Sequence, residues 1–103
     1  MARDRKRTVI AIDYDDTITK DMELWTQFIK TAISRGHQVY VVTMRYPYQL
    51  IDAAIEAVVT GVIYTSLKAK RAVCKLQKIV PDIWIDDCPQ FVDNDHSSLY
   101  IPT

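Results

Sequence analysis

The amino-acid sequence predicts one α/β domain built around a mostly parallel β-sheet. Short runs of β-branched apolar residues alternate along the chain with longer segments whose apolar residues recur at helical spacing. This βαβαβαβ order is typical of a parallel sheet with helices on its faces and right-handed crossovers. The length of 103 residues and the apolar content of 49 % fit one globular domain, expected over residues 1–103.

The first half of the chain predicts one βαβ unit. Residues 8–12 form an apolar run between charged segments, which indicates a strand buried on both faces. Asp21 is expected to cap a helix over residues 22–35, because apolar residues recur there every three or four positions, and Gly36 ends it. Residues 38–43, rich in Val and Tyr, form the second strand.

A second helix and a third strand are predicted next. Pro47 can open a helix because its fixed backbone angle suits the first turn, and apolar residues line one side of residues 48–59. Gly61 is expected to end this helix, and residues 62–64 form a short third strand.

The last predicted unit is a third helix and a fourth strand. Ser66 is the expected cap of the helix, and Pro81 stops it before the strand of residues 83–85. The expected apolar stripe of this helix comprises Ala69, Ala72, Val73, Leu76 and Ile79. Residues 89–103 are a polar tail with an expected edge strand at residues 99–101.

Charge and hydropathy exclude several classes of protein. Thirteen Lys and Arg against thirteen Asp and Glu give a formal net charge of zero, which disfavours a nucleic-acid binder that acts through bulk positive charge. The longest stretch without a charged residue or His, residues 57–67, is far short of the roughly 20 apolar residues that span a membrane. Residues 1–7 are basic, are expected to be a frayed end, and precede an apolar run too short for a secretory signal. We therefore expect a cytoplasmic protein without a membrane partner.

The acidic residues are strongly skewed toward Asp, and the Asp residues gather at strand ends. Eleven of the thirteen acids are Asp; Asp13 and Asp15 follow the first strand, and Asp86 and Asp87 follow the fourth. Ligands of an open parallel sheet bind beyond the carboxyl ends of its strands. If these two strands are neighbours, at least three carboxylates converge, and a divalent cation such as Mg²⁺ would offset their repulsion.

Other polar residues near the strand ends complete a candidate phosphate site. Thr43 ends the second strand, where its hydroxyl can bond a phosphate oxygen. Lys68 and Lys70 lie near the start of the third helix, and helical projection does not choose which ammonium neutralises charge at the site. Arg45 can contact the substrate or lie on the surface, and Asp16 can contribute to the site or cap the turn. The Asp carboxylates at the strand ends, the Thr43 hydroxyl and a lysine ammonium are together the parts that phosphoryl transfer needs.

Four segments of the chain form an ordered set of motifs. Residues 9–18 are a hydrophobic strand followed by the pattern DxDx[TV], and residues 39–43 are a hydrophobic strand that ends in Thr. Lys70 or Lys68 near a helix start comes third, and residues 83–87 are a hydrophobic strand followed by two Asp residues. In this order the segments resemble the four motifs of the haloacid dehalogenase-like (HAD) phosphohydrolases.

The resemblance implies a role for each of these residues. Asp13 would be the nucleophile that forms an aspartyl-phosphate, and Asp15 would protonate the leaving group and then activate water. Thr43 and the lysine would hold the phosphoryl group. Mg²⁺ would be bound by Asp13, the backbone carbonyl of Asp15, and Asp86 or Asp87.

The resemblance also implies a fold and an activity. The fold would be the three-layer, Rossmann-like HAD fold, with four or five parallel strands in the order (5)-4-1-2-3 and helices on both faces. The activity would be that of a Mg²⁺-dependent phosphatase, with a catalytically weak phosphate- or nucleotide-binding or regulatory module as the alternative. Asp16 departs from the pattern, because many members have Gly at that position.

The connections that carry a lid in most members of the family are short in this chain. About seven residues separate Thr17 from the apolar stripe of the first helix, and two or three join the third strand to the third helix. The site is therefore expected to be open unless a second copy of the chain covers it, and to accept a phosphorylated small molecule, a phosphoprotein or a nucleic-acid end. A phospho-acceptor receiver domain is disfavoured, because Thr65 and Ser66 rather than Asp follow the third strand.

Overall fold

The computed structural model describes residues 7–96 of the chain. Its strands are β1 (Val9–Ile12), β2 (Gln38–Thr43), β3 (Gly61–Tyr64) and β4 (Ile83–Ile85). Its helices are α1 (Met22–Ser34), α2 (Ala53–Glu56), α3 (Lys70–Leu76) and α4 (Gln90–Asp93), and a 3-10 turn covers Ile18–Lys20. Each strand lies within one residue of its predicted bounds.

The four strands form one all-parallel sheet in the order β3-β2-β1-β4. In the central strand β1, Ile12 pairs with Val41 of β2 and with Ile85 of β4. Read from the β4 edge the order is 4-1-2-3, and it differs from the predicted (5)-4-1-2-3 because the described sheet ends at β4. The fifth strand, predicted at residues 99–101, lies outside the described residues.

Helices cover both faces of the sheet, which explains why the strand sequences are apolar throughout. Successive side chains of a strand point to opposite faces, so each strand contributes to two separate clusters. The buried members on one side include Ile10, Ile12, Val39 and Val41 of the sheet with Ile29 of α1 and Ile55 of α2. The buried members on the other side are Ala11, Val42 and Ile63 of the sheet and Cys74 of α3.

Helix α1 begins where the sequence predicts it and ends one residue earlier. The side chain of Asp21 accepts a hydrogen bond from the backbone N–H of Leu24 at 3.1 Å, which caps the helix. Ile29 and Ala32 are buried against the sheet. Gly36 follows with a φ of +95°, a left-handed conformation that favours glycine and stops the helix.

The second helix is much shorter than predicted. The prediction of residues 48–59 is wrong, because α2 covers only Ala53–Glu56. Asp52 caps it by accepting a hydrogen bond from the backbone N–H of Ala54 at 2.7 Å. Gly61, predicted to end this helix, is instead the first residue of β3.

Arg45 provides the physical reason for the late start of α2. Its Nη1 donates to the backbone carbonyls of Gln49 at 3.3 Å and Leu50 at 2.9 Å. In the predicted helix these carbonyls would accept from N–H groups four residues later. The guanidinium satisfies them in a turn, so residues 46–50 form a loop beside the sheet.

The third helix also starts later than predicted. Ser66 and Leu67 have φ values of +54° and +68°, which lie outside the right-handed helical region, so the prediction of Ser66 as the helix cap is wrong. Helix α3 begins at Lys70 with Ala69 at the cap position and without a side-chain cap. The connection from β3 is therefore longer than the expected two or three residues.

The face that α3 presents to the domain also differs from the prediction. Lys70 and Cys74, one helical turn apart, are its buried residues. Ala72 and Leu76 were predicted in the apolar stripe, yet both are exposed, Leu76 at 82 %. The helix is rotated because Lys70, which forms ion pairs in the interior, occupies a position facing the core.

The segment after β4 folds back toward the start of α3. It contains the short helix α4, which the sequence did not predict, with Val92 buried. The Asp95 side chain then accepts from the backbone N–H of Ala69 at 2.7 Å, and the backbone N–H of His96 donates to the carbonyl of Leu67 at 2.7 Å. These contacts bring the end of the described chain close to the carboxyl edge of the sheet.

None of the helices within residues 7–96 has the length and apolar character needed to cross a membrane.

Candidate active site

The neighbouring strands β1 and β4 end side by side and place their acidic residues together. The sheet pairing extends one residue past β1, because the backbone N–H of Asp13 donates to the carbonyl of Ile85 at 2.9 Å. Asp13 therefore lies beside Asp86, the residue that follows β4. The convergence predicted on the condition that these strands are neighbours is confirmed for Asp13, Asp86 and Asp87.

A buried lysine joins two of these carboxylates. Lys70 Nζ lies 2.8 Å from Asp13 Oδ1 and 2.5 Å from Asp86 Oδ2, and all three side chains are at least nine-tenths buried. The lysine comes from the first residue of α3, which packs on the face of the sheet next to this edge. Of the two candidate lysines, Lys70 is therefore in the site, whereas Lys68 is exposed.

The Thr17 side chain connects the carboxylate of Asp87 to that of Asp13. Its hydroxyl lies 3.0 Å from Asp13 Oδ2 and 3.3 Å from Asp87 Oδ1. One carboxylate oxygen from each of Asp13, Asp86 and Asp87 lies within 4.8 Å of the others, an arrangement able to hold a metal ion. Sequence reasoning did not select Thr17 as a site residue, although the last position of the DxDx[TV] pattern marks it.

The charge of this cluster is only partly balanced within the protein. Burial raises the pKa of Asp13 from its usual 3.8 to about 6, although the hydrogen bond and charge of Lys70 act in the opposite direction. The hydrogen bond with Asp13, assisted by that from Thr17, lowers the pKa of Asp87. Three carboxylates against one ammonium leave an excess of negative charge that suits a divalent cation bound through oxygen ligands.

Asp15 and Arg45 form a two-point ion pair at the mouth of the site. Arg45 Nη2 lies 2.8 Å from Asp15 Oδ1, and Arg45 Nε lies 3.0 Å from Asp15 Oδ2. This hydrogen bonding raises the pKa of Arg45, and the Asp15 side chain remains 52 % exposed. Asp15 thus stands apart from the buried side chains of Asp13, Asp86 and Lys70, and Arg45, predicted as a substrate or surface residue, holds it in place.

Thr43 and Asp16 lie on the same cavity as the acidic cluster. Thr43, at the end of β2, is 1 % exposed, and its Oγ1 accepts from the backbone N–H of Arg45 at 3.2 Å. Asp16 has a φ of +63°, and its backbone N–H donates to Thr19 Oγ1 at 2.9 Å. A positive φ explains physically why glycine suits this position and why Asp, which tolerates the conformation, is accepted.

The site is an open cavity of about 280 Å³ at the carboxyl edge of the sheet. The predicted site residues that line it are Asp13, Asp15, Asp16, Thr43, Lys70, Asp86 and Asp87. Phe91 and His96 also line it, with their rings stacked at a centroid distance of 4.8 Å. No motif marks these two residues, because only the fold-back of the chain after β4 brings them to the site.

Comparisons of the chain with protein-family models, with curated proteins and with solved structures returned no match.

Proposed function

We propose that this protein is a Mg²⁺-dependent phosphatase that hydrolyses phosphomonoesters through an aspartyl-phosphate on Asp13. The observation that carries the proposal is the buried contact of Lys70 with both Asp13 and Asp86, with Asp87 beside them, at the carboxyl edge of a parallel sheet. These residues belong to the first, third and fourth motifs by which the chain resembles the HAD phosphohydrolases. The proposal extends to that family's three-layer fold.

The donor set fits Mg²⁺, which prefers a few carboxylates together with water and phosphate oxygens. Asp13, Asp86 and Asp87 would hold the ion, together with the backbone carbonyl of Asp15. When bound, the ion would reduce the repulsion between these carboxylates and an incoming phosphate dianion. Lys70 supplies further positive charge at the same point.

In the proposed first step, a carboxylate oxygen of Asp13 forms a bond to phosphorus as the bond from phosphorus to the leaving oxygen breaks. Asp15, in its protonated form, donates its proton to that oxygen, so the leaving group departs as an alcohol. Lys70 orients Asp13 through its hydrogen bond. The Thr43 hydroxyl and the Lys70 ammonium, which line the same cavity, would hold the phosphoryl oxygens.

In the second step, water hydrolyses the aspartyl-phosphate. Asp15, now a carboxylate, takes a proton from the water as its oxygen forms a bond to phosphorus. The bond between phosphorus and the Asp13 oxygen breaks and inorganic phosphate is released. Asp13 returns to the carboxylate and Asp15 to its protonated form, so the cycle closes.

One observation favours a second candidate function, a phosphate- or nucleotide-binding or regulatory module with weak turnover. Both carboxylate oxygens of Asp15 are occupied by hydrogen bonds from Arg45, whereas the first step needs one of them to donate a proton to the leaving group. If Arg45 stays on Asp15 in the substrate complex, the site binds phosphate but transfers it slowly.

The test is phosphate release from an aryl phosphate and from a panel of phosphorylated small molecules, oligonucleotides and phosphopeptides. We expect release that requires Mg²⁺, is abolished by Asp13→Asn, and persists in Asp93→Asn, a control at an exposed carboxylate paired with Arg71. Activity that survives Asp13→Asn would refute the mechanism. Mg²⁺-dependent binding without release from any substrate would select the binding module.

A further inference from the structure

We propose that the loop after β2 carries a base-stacking subsite and that the substrate is a nucleotide, either free or at the end of an oligonucleotide. This inference rests on the proposed phosphate chemistry at Asp13. It assigns Tyr46 and Tyr48 as the platform on which the nucleobase of the leaving group stacks. The two rings lie 5.6 Å apart between centroids with an interplanar angle of 18°, so they form a parallel stack.

The exposure of this stack is unusual for two aromatic side chains. Tyr48 is 79 % exposed and Tyr46 is 37 % exposed, although burial of aromatic rings is a large source of stability. With only one side of Tyr48 against Tyr46, its other ring face is open to solvent. Because Tyr48 is already stacked on Tyr46, its open ring face is a surface on which a further flat ring can stack.

The loop is held in a fixed position relative to the proposed proton donor. One guanidinium, that of Arg45, binds Asp15 through Nε and Nη2 and binds the carbonyls of Gln49 and Leu50 through Nη1. The backbone N–H of Gln49 also donates to the carbonyl of Tyr46 at 2.8 Å, which closes the turn. The loop that carries the platform is therefore attached by a single side chain to Asp15, the proposed proton donor to the leaving group.

The placement of the platform favours a nucleotide over a simple aryl phosphate or a phosphotyrosine. Arg45 lies between Asp15 and the loop, and neither tyrosine lines the cavity that contains Asp13. We expect a ring bonded directly to the ester oxygen to stay within this cavity, because neither tyrosine is among the residues that line it. A base separated from the phosphate by a ribose has the additional length.

The experiment compares substrates that differ only in the base. Adenosine 5′-monophosphate and ribose 5-phosphate present the same phosphate and sugar, and stacking of a base contributes a factor of about 5- to 150-fold to affinity. We expect affinity and kcat/KM to favour the nucleotide by a factor in this range. Tyr48→Ala should remove this preference by weakening the binding of the nucleotide alone, whereas Tyr48→Phe should keep the preference. Neither substitution should change the hydrolysis of para-nitrophenyl phosphate.

A matched control and a binding measurement make the outcomes separable. Leu76→Ala changes an exposed apolar side chain on α3 and should leave every value unchanged. Binding measured by calorimetry on Asp13→Asn, which should not turn over, tests the subsite without catalysis. If the wild type releases no phosphate but Asp13→Asn prefers the nucleotide through Tyr48, the phosphatase proposal fails and the subsite stands.

Three results would overturn the subsite, and a fourth would contradict the choice of a nucleotide as the substrate. Equal binding of nucleotide and ribose 5-phosphate would remove the role of the base. An equal loss for both ligands in Tyr48→Ala would assign Tyr48 a structural role, and a change in oligomeric state on sedimentation would assign the stack to a contact between copies. Tighter binding of a phosphotyrosine peptide than of any nucleotide would contradict the choice of substrate. Comparison of adenosine monophosphate with a phosphorylated tetranucleotide then identifies whether a free nucleotide or an oligonucleotide end binds more tightly.

Discussion

Lys70 Nζ lies 2.8 Å from Asp13 Oδ1, although 57 positions separate the two residues in the chain. Both side chains are buried, and the same ammonium contacts Asp86. A charged group in the interior is stable only when it is paired, so this contact couples the packing of α3 to the ends of β1 and β4. The same atoms are central to the proposed chemistry, so stability and activity are linked here.

Substitution of Lys70 is therefore expected to affect both properties. Lys70→Met leaves two buried carboxylates without their ammonium, and loss of one partner of a buried pair costs about 3–5 kcal/mol of unfolding free energy. Loss of a charge-stabilising donor should lower kcat by about 100-fold or more. Urea denaturation and steady-state kinetics measure the two effects. Lys68→Met, at the exposed neighbouring lysine, is the control and should change stability by less than about 0.5 kcal/mol.

Mg²⁺ is expected to raise the thermal stability of the folded protein. An ion that binds only the native state, at a concentration of about 100 times its dissociation constant, adds about 2.7 kcal/mol to the free energy of unfolding. Asp86→Asn or Asp87→Asn should reduce the shift in Tm with Mg²⁺, because each removes one charged ligand from the cluster. Asp93→Asn, outside the cluster, should retain the full shift in a thermal denaturation titration. A shift that survives in both cluster variants would place the ion elsewhere.

The raised pKa of Asp13 predicts that, without a divalent cation, the free energy of unfolding falls as the pH rises. Since its pKa is about 6 when folded and 3.8 ordinarily, the folded state binds the proton more tightly. This contribution to stability is full below about pH 4 and is lost as the pH rises through about 6. Asp13→Asn is neutral at every pH and leaves Lys70 paired with Asp86, so it should then be more stable than the wild type at pH 8 in the presence of a chelator.

The comparison of Asp13→Asn with the wild type at acidic pH provides the control. The difference in unfolding free energy should shrink as the pH falls to about 4, where the wild-type carboxyl is also neutral. Saturating Mg²⁺ should reverse the order at pH 8, because the ion favours the carboxylate. A stability difference independent of pH would contradict the assigned role of burial.

Arg45 is expected to matter more for activity than for stability. Its pair with Asp15 is partly exposed, and exposed ion pairs contribute about 0–1 kcal/mol. Under the phosphatase proposal, in which Arg45 positions Asp15, Arg45→Ala should nevertheless lower kcat/KM, since it releases both Asp15 and the loop of residues 46–50. Arg45→Lys should recover little, because one ammonium cannot replace the two-point contact. Arg71→Ala, at the exposed pair with Asp93, is the matched control, and an equal loss of activity there would contradict this role.

Local sequence patterns predicted the strands and α1 well but misplaced α2 and α3. The strand runs and the Asp21 cap are local signals that tertiary contacts reinforce. The start of α2 depends on a guanidinium that bonds two carbonyls, and the face of α3 depends on ion pairs of Lys70. Neither effect can be read from the apolar periodicity of α2 or α3. Each depends on the contacts of a charged side chain, Arg45 with two backbone carbonyls and Lys70 with two carboxylates.

The sequence by itself determined which chemical groups are available and that four of the Asp residues follow β1 and β4. Only the tertiary structure decided that these strands are neighbours, that Lys70 and not Lys68 joins Asp13 to Asp86, and that Arg45 binds Asp15. It also brought Phe91 and His96 to the cavity. The physical reason is that strand order and helix rotation follow from burying apolar side chains and pairing buried charges across the whole chain, and local spacing does not specify those long-range contacts.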